Sequence, residues 1–197
     1  MQVFHGPGPG WAYGYPVSDG QLFTIGNLNI KAPLTPGHTE DSVCYAVADS
    51  RSGDTVLMVF TSDTLFTGST GRTDLEGPAE AYGMASKLYY SIYNKLEPLG
   101  DAAIIHPAHE AGSVCGPHIA DRPESTLGIE KAFNPSLANK TGQEFVKMKE
   151  SEHLELPPYF EKSNTLTSLE WLPWASRSCQ FRSSRLNSSR RWKTARL

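Results

Sequence analysis

Apolar residues change period along the chain, and each change marks an element. In "VSDGQLFTIGNLNIKAPLT" apolar segments flank Asp19-Gly20, a residue pair suited to a tight hairpin turn, and a second apolar stretch follows from Ile30. The chain is therefore predicted to open as β structure. "SVCYAVADSRSGDTVLMVFTSD" repeats the arrangement, with two β-rich runs around the turn-forming stretch 49–54, and the second run ends at Asp63. Between Pro78 and Leu96 the period changes: Met84, Leu88, Ile92 and Leu96 fall four apart, which predicts one face of an amphipathic helix closed by "EPLG". A buried-type strand, "AAIIHP", comes next, then a Gly/Pro-containing loop from Ala108 to Glu124 and a short helix around Leu127 to Phe133. Thr141-x-x-Glu144 reads as a capping box opening a helix that contains Phe145, Val146 and Met148 and ends before Pro157 and Pro158.

The 197 residues suffice for one domain with a core plus an appendage. With 39% hydrophobic and 20% charged residues, and no apolar run near the roughly 18 to 20 residues of a membrane helix, no membrane role is expected. "MQVFHGPGPG" lacks a basic n-region and an apolar h-region, so the expected compartment is the cytoplasm. Cys44, Cys115 and Cys179 are widely and irregularly spaced, and free thiols are expected. The net charge of -3 conceals an asymmetry. Residues 177–197 carry seven of the 18 Lys/Arg and no acid, leaving 11 bases against 21 acids, or -10, on the rest. An acidic body argues against polyanion binding, and the Ser/Arg-rich end is expected to be disordered rather than a nucleic-acid arm.

Three metal-capable side chains sit where strand-like segments end: His38 after the first pair, Asp63 after the next run, and His109 after "AAIIHPA". In sheet-centred α/β architectures, groups leaving strands at the same end converge. Two imidazoles and a carboxylate suit an iron(II) centre with open positions or a zinc site with a bound water, and spacing does not choose between them. The competing reading makes each an ordinary polar loop residue.

"TPGHTEDSVCY", "VFTSDTLFTGSTGRTDL" and "IIHPAHEAGSVCG", in that order, resemble the metallo-β-lactamase fold superfamily, in its glyoxalase II-like branch with the persulfide dioxygenases and their rhodanese-fused relatives. "STLGIEKAFNPSL" and "LPPYF" also resemble that branch. The resemblance covers residues 1–162. It implies an α/β fold, a partial metallo-β-lactamase αββα sandwich (its C-terminal portion), with 163–197 as a disordered basic tail. It further implies that His38 ligates the first metal and that Asp63 bridges two metals or ligates a single iron. His109 would serve a second metal. Arg72 and Asp74 would flank the site, with Arg72 either contacting substrate or holding its loop. The family's His-x-His-x-Asp-His loop is absent, which leads to the expectation that the chain begins after that loop, with Met1 inside the fold and a partner chain or second copy completing the sheet. Relatives usually carry glycine where this chain has Ser62.

The implied activity is metal-dependent chemistry on a glutathione-type thiol, with Fe(II), or alternatively Zn(II), as cofactor. Persulfide dioxygenation is the leading reading. Hydroxyacylglutathione hydrolysis, or a noncatalytic remnant of the fold, is the alternative. His106 reads as packed or solvated, and Cys115 as inert, because no basic residue adjoins it in sequence.

Overall fold

The computed structural model describes residues 3–8, 14–122, 124–138, 140–152, 154–158 and 160. The expected basic tail, 163–197, lies outside them, as do Trp11, Tyr13 and Cys179. Among the described residues no helix is long and apolar enough to cross a membrane.

Among the described residues, ten strands and three α-helices follow in chain order. Strands β1 (Phe4–His5) and β2 (Tyr15–Pro16) pair with each other. Strands β3 (Gln21–Ile25), β4 (Leu28–Ala32), β5 (Tyr45–Asp49) and β6 (Val56–Ser62) lead into the short ladder of β7 (Leu65–Phe66) and β8 (Ser69–Thr70). Helix α1 (Ala81–Tyr90) continues through a π-helical stretch, Ser91–Leu96, and is followed by β9 (Ile104–Pro107), β10 (Ser125–Thr126), α2 (Leu127–Phe133) and α3 (Gly142–Ser151). The main sheet has the order β10-β9-β6-β5-β4-β3. The α/β class expected from the changing period is the class observed.

The first hairpin differs in detail from its prediction. Its two-residue turn is Gly26-Asn27, where Gly26 supplies a φ of 59° between the paired Ile25 and Leu28. Asp19-Gly20 instead turns the chain into β3: Gly20 donates its N–H to Ala32 O at 2.9 Å, and Asp19 accepts from Leu34 N. Both pairs form turns readily, and only Gly26-Asn27 has equal five-residue strands on either side.

Ala46, Val59 and Ile105 form one row across β5, β6 and β9, facing the helices. Against them pack Leu88, Ile92 and Leu96, the four-spaced residues of the amphipathic pattern, together with Phe145 of α3. The Thr141–Glu144 capping box is present. The opposite face is apolar too: Phe23, Ile30, Tyr45, Val47 and Phe60 line an open hollow of about 630 Å³, with Phe60 48% exposed. Among the described residues the six-stranded sheet carries its helices on one face.

Two local arrangements hold the loops at the site end of the sheet. Glu130, fully buried, accepts hydrogen bonds from Gly68 N (2.7 Å), Asn134 Nδ2 (2.9 Å), Arg122 Nη2 (2.8 Å) and the Ser125 hydroxyl, anchoring the β7–β8 turn to α2. Ser62 ends β6 at a φ of 49°, a left-handed conformation that costs a non-glycine residue about 1–2 kcal/mol. This explains physically why glycine suits the position before Asp63.

Glu130→Gln turns an amide donor toward existing donors, so it is expected to lower stability by about 2–4 kcal/mol, read as a lower urea midpoint at unchanged slope. Ser62→Gly should move the midpoint the other way, by about 1 kcal/mol. An unchanged midpoint there would show the left-handed turn to be unstrained.

Candidate metal centre

Strand direction brings the candidate residues together. Strand β4 is antiparallel to β5 and β5 to β6, so β4 runs parallel to β6, and β9 pairs parallel to β6. The loops after β4, β6 and β9 therefore leave the sheet at one end, carrying His38, Asp63 and His109.

His38 is 7% exposed, and its Nδ1 lies 3.0 Å from the carbonyl oxygen of Arg72. A carbonyl only accepts, so Nδ1 carries the proton and Nε2 presents a lone pair. Burial pushes the imidazole pKa down, outweighing the opposing attraction of Asp63, which favours the neutral ligand form. His38 Nε2 lies 3.8 Å from Asp63 Oδ1, and His109 Nε2 lies 3.1 Å from the same oxygen. That oxygen is buried and has no hydrogen-bond partner: the two imidazoles approach it without hydrogen-bonding geometry. Gly71 makes the close packing possible, because a Cβ there would sit 2.0 Å from Asp63 O and 3.2 Å from the His38 Cβ.

His109 is half-exposed and lines a hollow of about 170 Å³ with Thr67, His106, Ile119 and Arg122. His106 stacks on Phe60 with ring centroids 5.3 Å apart and stands outside the cluster. His38, Asp63 and Cys115 each offer a ligand atom within 4.8 Å of the other two, the one such trio among the described residues. His109 thus reaches Asp63 without joining that trio.

Arg72 is 1% exposed, and all five of its guanidinium N–H groups are engaged. Nε and Nη2 grip the Asp74 carboxylate at 2.6 and 2.8 Å, Nη1 donates to Val114 O and Glu155 O, and Nη2 also donates to Leu154 O. Burial acts to raise the Asp74 pKa, but the Arg72 hydrogen bonds prevail and hold the carboxyl below its usual range. All five donors are engaged within the protein, so in this structure Arg72 holds its loop.

Cys115 is the residue that sequence reading passed over. Its backbone carbonyl accepts from Arg72 N at 2.8 Å, and its N–H donates to Ser113 Oγ. Burial, set against the Ser113 hydroxyl and reinforced by the Asp63 charge, raises its thiol pKa. The signal in sequence was its place six residues beyond His109 in the same strand-exit loop. The neighbours that matter, His38, Asp63 and Arg72, lie 77, 52 and 43 residues earlier in the chain, and no local pattern records them.

A nitrogen, a sulfur and an orphaned buried carboxylate oxygen form a donor set that fits a divalent cation.

No protein-family model matches the chain. In sequence it is 31% identical over 141 residues to a probable hydroxyacylglutathione hydrolase of Schizosaccharomyces pombe, covering 61% of this chain and 51% of that protein. It is 29% identical over 141 residues to the mitochondrial persulfide dioxygenase ETHE1 of Bos taurus, covering 72% and 48%. The chain spans about half the length of the curated relatives it matches. Among solved structures it is similar to a metallo-β-lactamase from Staphylococcus aureus (TM-score 0.70, 28% identity, 78% of this chain and 44% of that one). It is also similar to ETHE1 from Myxococcus xanthus (TM-score 0.67, 28% identity, 84% and 64%). The chain has the metallo-β-lactamase fold, and its curated and structural likenesses include glyoxalase II-like and persulfide dioxygenase proteins of that fold.

Proposed function

We propose that the chain forms a metal-holding part of an enzyme acting on a glutathione-type thiol derivative, of the persulfide dioxygenase kind, in which persulfide, dioxygen and water give sulfite and free thiol. The observation that carries this reading is the buried Asp63 Oδ1, without a hydrogen-bond partner and faced by two imidazole nitrogens at the common end of three strands. Iron(II) held by His38 and Asp63, with His109 toward a second position, would supply Lewis acidity and open positions for oxygen chemistry. The chain's own residues prepare that site. Arg72 O keeps the His38 proton on Nδ1, Asp63 supplies the negative charge, and His109 faces both the carboxylate and the hollow through which a small molecule would arrive.

The dioxygenase reading is supported by the larger share of this chain that is similar to ETHE1 proteins, 72% in sequence and 84% in structure. A zinc-dependent thioester hydrolase is the second reading, favoured by the 31% identity to the Schizosaccharomyces pombe protein.

Anaerobically purified chain supplied with iron and zinc is expected to retain metal near one equivalent, and His38→Ala/Asp63→Ala to retain almost none. Arg72→Lys, which touches no metal, should weaken retention roughly 10–100-fold by loosening His38. Oxygen uptake with sulfite release from glutathione persulfide would support the first reading, and cleavage of a glutathione thioester by the zinc form the second. Bound metal with neither activity would overturn the enzyme reading for this chain.

A further inference from the structure

We propose that Cys115 is a metal ligand, so that the first metal of this chain is held by an imidazole, a carboxylate and a thiolate from His38, Asp63 and Cys115. This rests on the metal-centre reading above and adds a donor to it.

Three observations carry the assignment. The ligand atoms of His38, Asp63 and Cys115 lie within 4.8 Å of one another. Bonds of about 2.0 Å to nitrogen or oxygen and about 2.3 Å to sulfur put donors on one tetrahedral ion about 3.5 Å apart, so side-chain adjustments of about an ångström close the trio. The second is Asp63 Oδ1, buried and without a hydrogen-bond partner, which a cation would satisfy. The third is that Cys115 is held in place. Arg72 N donates to Cys115 O and Arg72 Nη1 to Val114 O, while the same residue's carbonyl receives the His38 Nδ1 proton. One buried arginine thus positions two donors of the trio from opposite sides. Gly116 seats the loop against β7 and β8: a Cβ there would meet the Phe66 ring at 2.8 Å and Thr70 O at 3.0 Å.

The chemistry favours this use of the thiol. On binding, the thiol releases its proton to solvent and the sulfur lone pair goes to the cation, with no change of oxidation state. A thiolate beside an imidazole selects iron, zinc or cobalt over magnesium or calcium. Cys44, the other cysteine among the described residues, is fully buried and outside the trio, its thiol donating to Thr61 O at 3.4 Å and lying 3.2 Å from the Thr35 hydroxyl, so it does not compete.

Cobalt(II) titration of the reduced chain, followed by absorption, tests the assignment separately from the metal centre. Visible d–d bands report cobalt in a protein site, and a near-ultraviolet thiolate-to-cobalt band reports a sulfur ligand. The expected result is both bands at one equivalent, with Cys115→Ser losing the thiolate band, keeping d–d bands and binding roughly tenfold or more weakly. Cys115→Ala should behave alike, and far-ultraviolet circular dichroism of both variants should match the parent. Visible bands without a thiolate band in the parent would overturn the Cys115 assignment and leave the His38–Asp63 centre standing. A thiolate band that survives in Cys115→Ser would also overturn it. No cobalt uptake at all would overturn the centre and the assignment together.

Discussion

The saturated guanidinium of Arg72 is the interaction on which the site depends. A buried arginine is tolerable only when its charge and every donor are met, and here one carboxylate and three carbonyls meet all five N–H groups. The consequence is geometric. The segment around Glu155 and the loop around Val114 are tied to one side chain, whose backbone then holds His38 by its N–H proton and Cys115 by its carbonyl. Removing the guanidinium would leave the Asp74 carboxylate without its partner and release two loops at once.

Strand direction supplies the other constraint. A mixed sheet in which β4, β6 and β9 run the same way gathers three loops at one end, and each loop needs something to keep it there. Ser62 turns the chain sharply before Asp63, Gly71 lets the following loop pass close over Asp63 O, and Glu130 fastens the β7–β8 turn to α2. All three place backbone where ordinary residues or unpaired charges would not settle alone. Rigidity around an orphaned carboxylate oxygen is what a centre with open positions requires, since the ligands must hold their geometry when other positions exchange.

The two faces of the sheet differ in a way that matters for assembly. The helix-facing row of Ala46, Val59 and Ile105 is sealed by Leu88, Ile92, Leu96 and Phe145. The other face leaves Phe60 and its neighbours open around a hollow of about 630 Å³.

Much of this was legible in the residues. The four-spaced apolar stripe, the capping box and the β-rich runs mark their elements because periodicity and caps are local, and His38, Asp63 and His109 stand out because each ends a strand-like run. What sequence by itself determined was therefore the α/β class, the helix positions and the strand-exit residues. Three decisions belonged to the tertiary structure. It gave the first hairpin turn to Gly26-Asn27 rather than Asp19-Gly20, because strand pairing chooses between two competent turns. It spent the whole guanidinium of Arg72 on loops distant in sequence, and it brought the Cys115 sulfur to His38 and Asp63. Strand order and long-range hydrogen bonds make those contacts, and neither leaves a local period in the chain.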